Sequence, residues 1–154
     1  MIEFIHRKDI FKTEADFVVV PVNCVGRPGK GLAKQWSDNA PDSSLHYYIR
    51  ACGSGDLLPG HILYFVDSTY ILAATKDHWM KPSQYEWILE IATALSTLSI
   101  SNKWWSHDAD RNIIPKVIAV PKLGCGLGGL DWRIVKDIFI QEWTQLPTKF
   151  LIYE

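Results

Sequence analysis

The sequence predicts an α/β fold of three layers, with helices on both faces of a mixed sheet of about six strands. Apolar and β-branched runs alternate with segments of helical periodicity, in the order β-β-α-α-β-β-α-β-α-β. Two of the runs, Phe17–Asn23 and residues 116–120, are nearly continuous in apolar character, as strands covered on both faces must be. Each of these two leads directly into a glycine-rich turn and then into a helical segment.

Residues 2–6 alternate like a short strand, and Lys8, Asp9 and Ile10 turn the chain. Phe17–Asn23 reads FVVVPVN, a central strand whose Pro21 implies a missing ladder bond near its end. The turn Cys24-Val25-Gly26-Arg27-Pro28-Gly29-Lys30-Gly31 follows. Residues 32–39 are helical, with Leu32, Ala33 and Trp36 on one face, and Pro41 opens a second helix that ends near Gly53. Residues 61–66 and 69–75 are two strands joined by a hairpin-like turn at Asp67 and Ser68. Ser83, three residues before Glu86, gives a capping box for a helix over 84–98, whose Trp87, Ile91, Ala94 and Leu98 face the sheet. Residues 100–112 form a polar insert holding Trp104 and Trp105, which either cover the sheet edge or stack on a substrate base. The last helix buries Ile134, Val135, Ile138, Phe139 and Trp143, and residues 149–154 close as a strand.

The second glycine turn, PKLGCGLGGLDW from Pro121 to Trp132, is the centre of the functional reading. Four glycines in six positions remove the Cβ atoms that keep a ligand off the backbone, and they permit positive φ. Successive N–H groups then point into one concavity beside a helix whose start Asp131 caps, an arrangement suited to a phosphate or diphosphate. A tight strand-to-helix turn with no ligand has the same glycines. The stretch is neither a Walker A sequence nor a clean GxGxxG fingerprint.

Composition narrows the rest. The 154 residues are one domain's worth, spanning 1–154 without linker or repeat. A net charge of −1, from 16 basic and 17 acidic residues, provides no field for long nucleic acid, so any contact with single-stranded DNA is local. Cys24, Cys52 and Cys125 lie far apart and imply free thiols in a cytoplasmic setting. No run is long and apolar enough to span a membrane, and His6, His46, His61, His78 and His107 show no metal spacing. Most of the seven tryptophans are expected in the core.

Taken together, VNCVGRPGKGLAKQW, TKDHW and PKLGCGLGGLDW, in this order and at these distances, resemble a macrodomain. More narrowly, they are similar to the macrodomains of the DNA ADP-ribosyl glycohydrolase antitoxins (DarG type) and to relatives that cleave ADP-ribose from acidic side chains. The resemblance covers almost the whole chain. It implies an ADP-ribose ligand and no cofactor or metal. Asp9, with Ile10 beside it, matches the turn whose carboxylate accepts from the adenine amino group; a simple turn cap is the alternative. Asn23 matches the asparagine facing the distal ribose, or else satisfies its own turn. Gly29, Lys30 and Gly31 match the first ligand loop, which wraps the distal ribose and a phosphate. Gly124, Cys125, Gly126, Leu127, Gly128 and Gly129 match the diphosphate cradle. Tyr153 matches an aromatic near adenine, or packs in the core.

Lys76, in the Thr75-Lys76 pair, matches the lysine that reaches the anomeric carbon of the distal ribose in these hydrolases. Its amine is a nucleophile there when neutral, which partial burial favours. Without the resemblance it reads as a surface lysine after a strand. Gly128 stands where the relatives acting on acidic side chains carry an aspartate, so Lys76 lacks a carboxylate partner, as in the antitoxin type. The antitoxins carry a further toxin-binding domain, which these 154 residues do not contain, so direct toxin neutralisation is not expected. The implied activity is release of ADP-ribose from a carrier, ADP-ribosylated thymidine in DNA first. Removal of phosphate from ADP-ribose 1″-phosphate, and non-catalytic reading of ADP-ribose, are the alternatives.

Overall fold

The computed structural model describes residues 1–65, 68–100 and 117–154. The strands are β1 (Ile2–Ile5), β2 (Phe17–Asn23), β3 (Ile62–Tyr64), β4 (Tyr70–Lys76), β5 (Val117–Pro121) and β6 (Lys149–Tyr153). The helices are α1 (Gly31–Asn39), α2 (Asp42–Gly53), α3 (Tyr85–Ile100) and α4 (Trp132–Trp143), with a short 3-10 turn at Ile10–Lys12. The strands form one sheet in the order β1-β6-β5-β2-β4-β3, with every neighbouring pair parallel except β3 with β4. This is the mixed three-layer sheet that the pattern predicts.

Period-two alternation along the central strands divides the core. Val19, Ile71, Ala73, Ile118 and Val120 pack with α3 and α4, whereas Val18, Val20, Leu72, Ala74 and Ala119 pack with α1 and α2. Trp143 is fully buried between Phe139 and Phe150, with stacked rings 4.3 and 4.2 Å apart by centroid. On the other face Trp36 meets the Tyr48 ring edge-on at 5.8 Å. Burial of such large side chains is worth about 1.5–3 kcal/mol each, which is why both faces of the sheet need a helical cover.

Several details differ from the sequence reading. The buried stripe of α3 is Ile88, Ile91, Ala92, Leu95 and Leu98, while Trp87 and Ala94 are only half-buried. The helix is rotated so that its branched residues, rather than the large indole, meet the sheet. Ile134 of α4 is exposed and Ile138 half-buried, leaving Val135, Phe139 and Trp143 as its inner face. Trp36 and Trp143 are core residues, but Trp87 and Trp132 are half-buried and Trp79 is exposed. Ser83 forms no capping box: its hydroxyl is buried without a partner, and the carbonyl of Gln84 accepts the first amides of α3. Asp67, Trp104, Trp105, His107 and Lys116 lie outside the described residues. Among the described residues no helix is long and apolar enough to cross a membrane.

Candidate functional site

Strand order places the site. After β2 the chain moves toward β4, and after β5 it moves the other way, toward β6. The carboxyl ends of β2 and β5 therefore flank a topological switch point, where an open α/β sheet leaves a crevice for a ligand. The crevice is real here: β2 pairs with β5 only at Phe17 and Val18, although its ladder with β4 runs on to Asn23. Pro21, with no N–H to donate, lies beyond the last β5 pair, as its missing ladder bond requires. A cleft of about 1290 Å³ opens there, lined by both glycine loops and by Pro21 and Pro121.

All the residues matched by the resemblance line this one cleft: Asp9, Ile10, Asn23, Gly29, Lys30, Gly31, Lys76, the run Gly124–Gly129 and Tyr153. The second loop is shaped by its own backbone. Cys125 N–H donates to the Lys122 carbonyl at 3.2 Å, Gly129 N–H to Gly126 at 3.1 Å and Leu130 N–H to Gly124 at 3.0 Å. These bonds leave the successive N–H groups of Gly126, Leu127 and Gly128 without a partner among the described residues. Three free donors in sequence, next to the start of α4, make an anion-binding concavity. Asp131 caps that helix as predicted, accepting from Arg133 N–H at 2.9 Å.

Two glycines of this loop are needed for different reasons. Gly124 has φ +74°, and a Cβ there would lie 2.8 Å from the Leu130 side chain. Gly128 leaves no room at all, since a Cβ would lie against the Gly124 carbonyl and the Ser83 hydroxyl. An aspartate at position 128 is thus excluded by backbone, not merely absent. By contrast a Cβ on Gly126 meets nothing within 4 Å and points into open space.

The first loop is held by a side chain. Asn23 Oδ1 accepts from Val25 N–H at 3.1 Å, Arg27 N–H at 3.4 Å and the Tyr48 hydroxyl at 3.2 Å. Its Nδ2 donates to the Arg27 carbonyl at 2.8 Å. Asn23 therefore does satisfy its own turn, and one Nδ2–H remains for anything in the cleft.

Lys76 reaches the same place through a bulge. Val22 pairs with Ala74 but Asn23 pairs with Lys76, so Thr75 is the extra residue on β4. The bulge re-aims the end of β4 and sets Lys76 beside Asn23 at the mouth of the cleft. Lys76 Nζ donates to the Trp79 carbonyl at 3.3 Å, and it forms no ion pair among the described residues. Burial holds its amine below the ordinary lysine pKa.

At the opposite corner β1 and β6 end together, with Ile5 paired to Tyr153. Asp9 caps the 3-10 turn through Oδ1, which accepts from Phe11 N–H at 3.0 Å, and Ile10 is buried beneath it. The cap that the turn chemistry allows is thus formed, with the carboxylate still on the cleft wall. Tyr153 is half-buried, both packed on the core and lining the cleft. Three strand intervals separate β6 from β4, about 14 Å at the usual strand spacing, so the cleft is long and runs across the sheet.

Cys125 packs on the core and burial pushes its thiol up to about 11, while Cys24 is pushed up to about 12. Both are fillers, not nucleophiles. Among the lining residues to which the sequence reading assigns no part in the site are Ser83, Glu154 and Trp79. Ser83 sits under the second loop, its N–H donating to the Gly128 carbonyl at 3.0 Å. Glu154 accepts from Trp132 Nε1 at 2.7 Å and approaches His6 Nδ1 at 3.3 Å, pinning the end of β6 beside Asp9. Trp79 closes the TKDHW stretch, which the resemblance matches without giving the indole a role.

No protein-family model matches the chain. It is 30% identical over 150 residues to a DNA ADP-ribosyl glycohydrolase of Mycobacterium tuberculosis, covering 90% of this chain and 38% of that protein. The chain thus spans well under half the length of that curated relative. The solved macrodomain of Mycobacterium tuberculosis DarG superposes with a TM-score of 0.83 at 31% identity, covering 99% of this chain and 97% of that one. Thermosipho africanus DarTG in complex with ADP-ribose gives a TM-score of 0.78 at 28% identity, over 99% of this chain and 41% of that one. A sheet that opens at its switch point, two glycine loops and a full-length superposition at this identity lead to one assignment: the chain belongs to the macrodomain family, in its DarG branch.

Proposed function

We propose that this domain hydrolyses the bond between ADP-ribose and a carrier, with ADP-ribosylated thymidine in DNA as that carrier, and that Lys76 acts at the distal ribose. The observation that carries the reading is the bulge-aligned pair Asn23 and Lys76 at one end of a cleft with a free N–H concavity in its middle. A relative solved with ADP-ribose, and relatives named for release of ADP-ribose from DNA, support the ligand and the carrier.

In this reading the diphosphate accepts from Gly126, Leu127 and Gly128 N–H, and adenine meets Asp9, Ile10 and Tyr153. Gly29, Lys30 and Gly31 close over the distal ribose. The neutral amine of Lys76 adds to the anomeric carbon while the bond to the carrier breaks, the electron pair and a proton leaving with the carrier. Water then displaces the amine and frees ADP-ribose. Position 128 admits no carboxylate, so Lys76 acts without a partner from the second loop. The free thiols fit the cytoplasm as the setting.

Lys76→Ala tests this directly. The variant is expected to bind ADP-ribose with wild-type affinity and to cleave ADP-ribosyl-DNA about a hundredfold or more slowly, since the lost group acts in the transition state. Lys76→Arg should not restore turnover, because a guanidinium stays protonated. A depressed amine pKa also sets the sign of the pH profile: below that pKa the neutral fraction, and with it kcat, rises with pH by up to about tenfold per unit, then levels. Wild-type rates in Lys76→Ala, or a flat profile from about pH 6 to about pH 9, would remove the lysine from the mechanism.

A further inference from the structure

Trp79 is an unusual residue to leave in water. The residue is 48% exposed, and the neighbouring Met80 is 73% exposed. Both line the cleft, as does Leu127 of the second loop, which is 75% exposed. The segment that presents the indole is shaped by local hydrogen bonds. His78 Nδ1 accepts from Met80 N–H at 3.1 Å, and the His78 carbonyl accepts from Lys81 N–H at 3.0 Å. The His78 ring stacks on the indole at 5.3 Å with an interplanar angle of 28°. A large ring left half in solvent adds little to the core; it suits a flat partner.

The position of that partner follows from Lys76. Its amine lies 3.3 Å from the backbone carbonyl of Trp79. A group bonded to the carbon that Lys76 attacks must leave the cleft beside this residue. The cleft wall carries Lys8, Arg27, Lys30, Lys76, Lys81 and Lys122 against Asp9 and Glu154, a balance that suits phosphates but does not by itself hold a base. Stacking on an aromatic face supplies that contact and accepts any base.

We propose that the Trp79 indole is the platform on which a nucleobase of the carrier strand stacks while its ADP-ribose occupies the cleft. This rests on the hydrolase reading above and adds the feature by which the enzyme distinguishes a nucleic-acid carrier from free ADP-ribose.

The test compares dissociation constants in a Lys76→Ala background, where substrate is not consumed. The probes are ADP-ribose, a short single-stranded oligonucleotide ADP-ribosylated on one thymidine, and an ADP-ribosylated peptide. With Trp79 present the oligonucleotide is expected to bind about tenfold tighter than ADP-ribose. Trp79→Ala should reduce that advantage to under about twofold while ADP-ribose affinity is kept, and Trp79→Phe should retain most of it. The kept affinity shows that the variant is folded. An advantage that survives Trp79→Ala, or is missing with Trp79 in place, overturns the proposal. So does an equal Trp79-dependent advantage for the peptide, or a parallel loss of ADP-ribose affinity. Wild-type turnover of the same oligonucleotide separates the two readings, because Trp79-dependent binding without cleavage sinks the hydrolase and leaves the platform standing.

Discussion

In the first glycine loop a single buried side chain, Asn23, takes or makes four hydrogen bonds and leaves one N–H of its own unspent. In the second loop the carbonyls of Lys122, Gly124 and Gly126 close the turn, and three consecutive N–H groups stay free. The loops resemble each other in composition and differ in what holds their shape. A loop closed by a side chain spends part of its amides on that side chain, here those of Val25 and Arg27, while Lys30, Gly31, Leu32 and Ala33 at the uncapped start of α1 keep theirs among the described residues. A loop closed by its own carbonyls can turn its remaining amides outward, at the cost of glycines wherever a Cβ has no room. The shape of the first loop thus hangs on Asn23, and that of the second on its own backbone.

Gly126→Val is the sharpest way to break that contrast. The added side chain enters open space at a backbone angle any residue adopts, so the fold should keep its melting temperature. ADP-ribose affinity should fall by about a hundredfold or more, or roughly 2.7 kcal/mol, as the side chain takes the phosphate position. Calorimetry showing unchanged affinity would remove the anion site from this loop.

Asn23→Ala should do the reverse. It strands the Val25 and Arg27 amides and takes one of the two acceptors of the Tyr48 hydroxyl, which also donates to the Asn23 carbonyl at 2.7 Å. The expected loss is about 1–3 kcal/mol of stability, read as a fall of about 2–4 °C in Tm per kcal/mol. A variant that melts with the wild type but no longer binds ADP-ribose would make Asn23 a ligand contact and not the support of its loop.

The smallest effect lies at the far corner, outside both loops. If the Asp9 carboxylate accepts from the adenine amino group, IDP-ribose should bind about tenfold more weakly than ADP-ribose, because a carbonyl then faces an acceptor. Asp9 already caps the 3-10 turn through one oxygen, so Asp9→Asn keeps the cap and should level the two affinities. Equal affinities in the wild type would leave Asp9 as a cap alone.

The sheet was legible because its signals are local. Phe17–Asn23 is apolar at nearly every position and so declares a strand covered on both faces, and Asp131 declares the start of α4 by its own chemistry. The glycine run announced a close backbone approach for the same reason, since a missing Cβ is visible in the letters. Helix phase was less legible: α3 carries apolar residues around most of its circumference, so several stripes satisfy a 3.6-residue period and packing against β4 and α4 chose among them.

The site depended on what no local pattern records. Asn23 and Lys76 are 53 positions apart in sequence, and only a parallel pairing with one bulged residue sets them side by side. Ser83 follows the rule for a helix cap, yet its N–H is bound to Gly128 and its hydroxyl lies against the second loop. The absence of an aspartate at position 128 is written in the sequence; that none can fit there is decided by the Gly124 carbonyl four residues earlier. Residue type and spacing determine which backbone states a segment prefers. Which side chains share a cleft is determined by strand order and register, and those follow from burying both faces of the sheet at once.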